Sequence, residues 1–224
     1  MAHPDDLTIL RAAFGCGEAL AATIAGLGRA AGHTRGAVLW PRDGAADGTG
    51  GSASLLTLGH AAELAYGRDG AVLVLHALVQ GEMFGDLAGS GQADGGARVE
   101  ALSEGRAIHF AASVMVRLME SYPLVALALA RHLSARIAAM RQRMVETALL
   151  SSTGRIAAEL LRMANAGGGT IRPVPVMTEL ALKVQAARET VSRTVSSLEK
   201  RGVLRRVDGG LELAAPHRLE ELIY

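Results

Sequence analysis

The sequence predicts an α+β chain in three consecutive parts: an antiparallel β-roll, a long amphipathic helix, and a helix-turn-helix with a two-stranded wing. Three observations carry this reading. Between Arg35 and Ala101, short apolar runs are punctuated by Gly and Asp-Gly, as in strands joined by tight turns. From Ser113 to Thr147 apolar residues recur three and four apart, the period of a helix with one buried face. From Thr178 to Leu204 two shorter stripes flank a three-residue turn. The expected boundaries are residues 1–110, 111–147 and 148–224.

The chain has 224 residues, enough for one large domain or two modest ones, and half of them are hydrophobic, enough for real cores. No uninterrupted apolar run approaches the ~20 residues of a membrane span. The opening Met1-Ala2-His3-Pro4-Asp5-Asp6 is acidic and lacks the apolar segment of an export signal. A cytoplasmic protein without a membrane partner is expected. The single cysteine, Cys16, excludes an intrachain disulfide and cannot by itself ligate an iron-sulfur cluster. Nothing cationic flanks it, which fits a small buried residue better than a redox thiol. Residues 151–224 carry eleven Lys/Arg against eight Asp/Glu, a net of +3, whereas residues 1–150 carry twelve against fourteen, a net of −2. The basic excess sits with the helix-turn-helix, but it is small, so pattern carries more weight than bulk charge.

In chain order, Leu7, Leu10, Phe14, Leu20, Ile24 and Leu27 place helix from Leu7 to about Ala31, broken near Gly15-Cys16-Gly17. Strands are expected around Val38-Leu39-Trp40, Ser54 to Leu58, Ala61 to Leu64, Ala71 to Leu75 and Ala97 to Ala101. Asp43 to Ser52 is a glycine-rich loop with no evident chemistry. The long helix has Pro123 near a break. Its narrow stripe of Leu127, Ala130, Leu133, Ile137, Met140 and Met144 is flanked by Arg131, Arg136, Arg141 and Arg143. That pattern suits a coiled-coil seam, the alternative being an amphipathic helix packed on its own domain.

In the third part, Leu180, Ala181 and Val184 mark one short helix, Gln185-Ala186-Ala187 the turn, and Val191, Val195 and Leu198 a second helix. The second helix carries Arg188, Glu189, Ser192, Arg193, Ser196 and Ser197 off its apolar stripe. A guanidinium can bond guanine O6 and N7 together, and a carboxylate can accept from cytosine N4, which is the chemistry of major-groove reading. Gly202 ends this helix, and Arg205 to Leu213 reads as a hairpin with an Asp208-Gly209 turn. Solvated surface arginines are the blander explanation. The combination of turn, charged helix start and basic wing favours double-stranded DNA as partner.

Arg188-Glu189-Thr190-Val191-Ser192-Arg193, following Leu180-Ala181-x-x-Val184, resembles the recognition helix of the cyclic-AMP receptor protein and fumarate-nitrate regulator (CRP/FNR) family. Ser152 to Leu161 is similar to the first helix of that family's DNA-binding domain, and the likeness extends from about Arg35 onward, most closely in the C-terminal part. The resemblance implies a cyclic-nucleotide-binding-like β-roll (jelly roll), a dimerisation helix and a C-terminal winged helix-turn-helix. It implies a homodimer on an inverted-repeat operator, with RNA polymerase a further partner if the protein activates. Leu127, Ala130, Leu133, Ile137, Met140 and Met144 would form the dimer interface. Arg188, Glu189 and Arg193 would read bases, while Ser192, Ser196, Arg205 and Arg206 would contact phosphates.

Val79 to Ala88 resembles the family's phosphate-binding cassette, with Gly85, Asp86 and Leu87 at its centre and Asp86 in the part that takes the ribose hydroxyl. The family's phosphate arginine and neighbouring hydroxyl fall on Gly95 and Gly96, and its base-contacting Thr-Ser pair falls on Met140 and Arg141. Arg98 would serve only after a one-residue slip that turns a strand side chain to the other face. Cyclic AMP is therefore disfavoured, as is an iron-sulfur cluster. His33, His60, His76 and His109 offer ligands for haem iron or another metal, but no ligand spacing joins them. The cassette histidine of the family's carbon-monoxide-sensing haem members falls on Leu87. Haem has no sequence support, and no metal ligands are assigned. The effector stays open between none, haem and another small ligand.

There is no nucleophile elbow, Walker loop, His-Glu-x-x-His or Cys-x-x-Cys, and no pattern unites His109, Asp86 and Ser90. No enzyme and no catalytic residue are expected. A scaffold with a degenerate sensor and an idle DNA domain is the remaining reading, and Arg188 and Arg193 stand against it.

Overall fold

The computed structural model describes residues 4–41, 52–67, 72–87 and 97–223. They fall into two compact units, Met1–Ala139 and Met140–Tyr224.

The first unit opens with α1 (Pro4–Phe14) and α2 (Glu18–Leu27) and continues with β1 (Arg29–His33), β2 (Val38–Trp40), β3 (Ser52–Leu58), β4 (Ala61–Tyr66), β5 (Val72–Leu78), β6 (Met83–Gly85), β7 (Ala97–Ala101) and β8 (Gly105–Ala111). It closes with α3 (Ala112–Ser121) and most of α4 (Pro123–Leu149). The strands form two four-stranded antiparallel sheets, ordered β1-β8-β3-β6 and β2-β7-β4-β5. Leu39, Leu56, Phe84, Val99 and Ala107 come from both sheets and fill the space between them. The other face of the first sheet presents Leu55, Ile108 and Phe110 to Phe14, Ile24, Met115 and Leu118 of the helices. With both faces covered, β3 reads as a nearly continuous buried run instead of an alternating one.

The helix expected to run to Ala31 stops at Leu27, and Arg29 to Ala31 pair with His109 to Ala107 of β8. The alanines there are helix formers, but sheet pairing overrides propensity. At Gly28 a Cβ would come within 2.4 Å of Ile108 Cγ2, so the chain passes close against β8 as it enters the sheet. The α3–α4 break falls at Tyr122, and Pro123 takes the first helical position, where its missing N–H costs nothing. By length and composition α4 is apolar enough to cross a membrane. Within its unit it is instead seated on the β-roll: Arg136 pairs with Glu63, and His132 Nε2 lies 3.1 Å from the Met83 carbonyl. The loop at Asp43 and the segment from Ala88 to Gly96, with Ser90, Gly95 and Gly96, lie outside the described residues.

The second unit holds the last turns of α4, then α5 (Ser152–Ala166), β9 (Thr170–Ile171), α6 (Met177–Val184), α7 (Arg188–Lys200), β10 (Leu204–Val207), β11 (Gly210–Leu213) and α8 (Pro216–Glu220). Ser151 caps α5 by accepting from the Gly154 amide at 3.1 Å. Ile156, Leu160, Leu180, Val184, Val191, Val195, Leu198 and Leu211 form one core beneath the three helices. The hairpin turns at Asp208-Gly209, where Gly209 takes φ +67°, a left-handed conformation that glycine adopts without strain. A third strand, β9, extends the wing by pairing Ile171 with Leu211, which the sequence reading did not foresee.

Candidate nucleic-acid interface

Helix α7 buries Val191, Val195 and Leu198 and leaves Arg188, Glu189, Ser192, Arg193 and Ser196 exposed. At 3.6 residues per turn those five side chains occupy an arc of about 140°, which runs from beside the buried stripe at Arg188 to opposite it at Arg193. One continuous polar face, with a guanidinium and a carboxylate in its first turn, is thus turned away from the core. The Thr190 and Val191 amides both bond the Ala187 carbonyl, at 2.9 and 3.1 Å, which closes the first turn without a side-chain cap. Arg193 lies back along the helix, its Nε 3.4 Å from the Glu189 carbonyl.

Gln185 sets the turn between α6 and α7. It has φ 51° and ψ 52°, left-handed for a non-glycine residue, and the Ala186 amide bonds the Ala181 carbonyl at 3.0 Å. Arg155 of α5 reaches this turn with its guanidinium, a contact the sequence reading missed. No signal marked it, since an arginine near a helix start looks the same whether it faces carbonyls or water.

On the wing, Arg206 Nε lies 2.9 Å from Glu199 Oε1, tying β10 to α7, and Arg205 sits 3.7 Å from Glu212 across the hairpin. Both arginine side chains stay mostly exposed, so these pairs are weak and their charge faces solvent. Behind the reading face, Glu146 of α4 meets Arg162 of α5 at 2.7 Å, Arg162 also pairs with the buried Glu159, and Glu159 meets Lys183 of α6 at 2.5 Å. Burial, then the nearby Arg162 and Arg143 charges, hold the Lys183 amine below the ordinary lysine value.

In the first unit, Gly85 ends β6 with φ +87°, and a Cβ there would meet the Ser52 carbonyl at 2.2 Å. Asp86 and Leu87 follow it into the interior, both buried. Arg98 is not brought to them. On β7 it lies on the face opposite the buried Val99, 3.9 Å over the Tyr66 ring and 2.6 Å from Glu100. Met140 and Arg141 are exposed on α4 and belong to the second unit. The polar groups where α4 meets the roll pair with one another: Glu63 with Arg136, and His76 with Glu82 at 3.4 Å. Burial alone would raise the Glu82 pKa, but the His76 hydrogen bond and the Val79 amide outweigh it and leave the carboxyl below its ordinary range.

The histidines are not gathered either. His33 and His109 line a cleft of about 610 Å³ bordered by β1, β2 and β8, and burial lowers the His33 pKa. His76 is in the Glu82 pair, and His60 is exposed in the turn between β3 and β4, its amide donating to Ser103 Oγ at 3.0 Å. Among the described residues no three His, Cys, Asp or Glu side chains are grouped to hold a metal ion. Cys16 is buried. The apolar stripe expected on α4 is exposed in the single chain: Leu127, Ala130, Leu133, Ile137, Met140 and Met144 all face solvent.

Residues 154–222 match the family model for the Crp-like helix-turn-helix domain. No curated protein sequence matches the chain. Among solved structures, a CooA mutant from Carboxydothermus hydrogenoformans is similar at 17% identity, with 90% of each chain covered and a TM-score of 0.75. FixK2 from Bradyrhizobium japonicum is similar at 17% identity, covering 88% of this chain and 98% of that one with a TM-score of 0.71. A CRP/FNR-family transcriptional regulator from Thermus thermophilus is similar at 23% identity, covering 87% and 98% with a TM-score of 0.62. Residues 154–222 are thus a Crp-like helix-turn-helix domain, and the fold of the chain is similar to that of solved CRP/FNR-family transcriptional regulators.

Proposed function

We propose that the protein regulates transcription in the cytoplasm as a homodimer bound to an inverted-repeat operator, and that cyclic AMP does not control it. The observation that carries this reading is the exposed arc of Arg188, Glu189, Ser192, Arg193 and Ser196 on α7, backed by a buried apolar stripe and flanked by Arg205 and Arg206. The first three-residue set of Arg188, Glu189 and Arg193 reads base edges in the major groove. Ser192, Ser196 and the two wing arginines hold phosphates and fix the register. The exposed stripe on α4 joins two copies, and two-fold symmetry sets the reading helices one DNA turn apart.

The absence of cyclic-AMP control is supported by chemistry on this chain. Arg98, the arginine nearest the cassette in sequence, is engaged with Tyr66 and Glu100 on the outer face of its sheet. Asp86 keeps a carboxylate in the cassette, but the positions aligned with the phosphate partners are glycines. The protein acts without an effector or through a different small ligand.

Selection from random duplex DNA by the untagged protein tests the proposal, run without additive and with cyclic nucleotides or haem. Enrichment of an inverted repeat without additive supports constitutive dimeric reading, and enrichment only with one additive names the effector. Enrichment of no sequence under any condition overturns the proposal.

A further inference from the structure

Arg155 sits where two junctions meet. Its Nη1 donates to the Leu150 carbonyl at 3.0 Å, its Nε to the Val184 carbonyl at 2.9 Å, and its Nη2 to the Gln185 carbonyl at 3.0 Å. Leu150 closes the last turn of α4, its amide bonding the Glu146 carbonyl at 2.9 Å, and its own carbonyl is one that the ended helix leaves without a partner. Val184 and Gln185 are the end of α6 and the left-handed residue of the reading turn. One planar guanidinium therefore bonds the exit of α4 and the start of the approach to α7, with a cation placed at the negative end of α6. Leu150 and Ser151 are the whole connection between α4 and α5, and Ser151 is itself fixed as the cap of α5. The tie through Glu146, Arg162, Glu159 and Lys183 ends on α6, whereas Arg155 grips the turn itself.

From this geometry we infer that Arg155 is a positioning residue that sets the direction in which the reading helix leaves the end of α4, and hence the half-site spacing the dimer accepts. The inference rests on the dimeric reading proposed above. Arg155 acts through the carbonyls of Leu150, Val184 and Gln185. One base pair added or removed at the operator centre rotates one half-site against the other by roughly 35° and shifts it by about 3.4 Å. A reading helix with a fixed exit direction rejects such operators; a loosened one accepts them.

The test uses the full-length protein, the selected operator, and versions of it lengthened or shortened by one base pair at the centre. Wild type is expected to prefer its own spacing by about a hundredfold, and Arg155→Met to reduce that ratio below about tenfold while keeping the base preferences within each half-site. A residue that merely stabilises the domain would lower affinity for all three operators by the same factor and leave the ratio unchanged. Arg155→Lys keeps the charge but not the fork, so its ratio should fall by about threefold or more, and it decides the matter if Arg155→Met does not fold. An unchanged ratio in the variant that folds overturns this inference alone. Failure of wild type to select any operator overturns the proposed function and this inference with it.

Discussion

Replacing Ile137 by Glu should separate the two copies of the chain without unfolding either. Ile137 is 55% exposed in the protomer, and its stripe neighbours Leu127, Leu133, Met140 and Met144 are 46, 40, 47 and 76% exposed. Fully burying such a side chain contributes ~1.5 to 3 kcal/mol, so covering the exposed half contributes about 1 kcal/mol each. Five side chains on each of two subunits give a gross gain of about 10 kcal/mol, the same order as the association cost. Ile137→Glu removes about 2 kcal/mol of this per dimer and sets two like charges into the seam, for a total on the order of 4 kcal/mol. The dimer dissociation constant should then rise about a thousandfold. Sedimentation velocity over a concentration series measures it. Thermal unfolding followed by circular dichroism, at a concentration where wild type too is monomeric, should show a stability within about 0.5 kcal/mol of wild type, because the side chain is a surface residue in the single chain. A dissociation constant within threefold of wild type, or a wild-type protein that stays monomeric at tens of micromolar, refutes the seam.

Three further outcomes are expected. Arg188→Ala should weaken operator binding by ~1 to 3 kcal/mol per half-site and relax preference at one base pair, measured by fluorescence anisotropy on single-substitution operators; equal affinity for all of them would remove Arg188 from the reading set. Glu82→Gln tests the pair with His76, which is faced by His132 and by the Glu63–Arg136 pair. The folded carboxyl lies below its ordinary 4.5, so its stabilisation is present above that pH and lost as pH falls through the folded value. The variant should be less stable than wild type by on the order of 1 kcal/mol near neutrality, with the gap narrowing as pH falls below 4.5, and a gap that does not narrow in acid would contradict the assignment. Gly85→Ala should cost more than about 2 kcal/mol in urea unfolding, since a Cβ would lie 2.2 Å from the Ser52 carbonyl in a left-handed backbone; a smaller loss would mean the strand shifts easily.

The helix-turn-helix was legible because every local signal agreed: Leu180, Ala181, Val184, Val191, Val195 and Leu198 keep helical period on both sides of the turn, and all are buried. The β-roll was partly legible. β2, β3, β4, β5 and β7 carry apolar runs bounded by glycine, whereas β8, Gly105-Arg106-Ala107-Ile108-His109-Phe110-Ala111, mixes glycine, charge and small residues and shows neither run nor alternation. Its Ile108 and Phe110 face the helices while Ala107 faces the second sheet, an arrangement that only the covered first sheet makes sense of. β1 hid inside an alanine-rich stretch that local propensity assigns to helix, and β9 is two residues long. At the reading face, the exposure of Arg188 and Arg193 follows from periodicity. The grip of Arg155 on Leu150, Val184 and Gln185 joins residues up to thirty positions apart and leaves no local trace.

Chemical footprinting of the selected operator with dimethyl sulfate, which methylates guanine N7 in the major groove, tests the dimeric reading most directly. Two symmetric patches of protection centred about 10 base pairs apart are expected, each losing one protected guanine when Arg188 is replaced by Ala. A single unpaired patch, or protection that Arg188→Ala leaves intact, would contradict it.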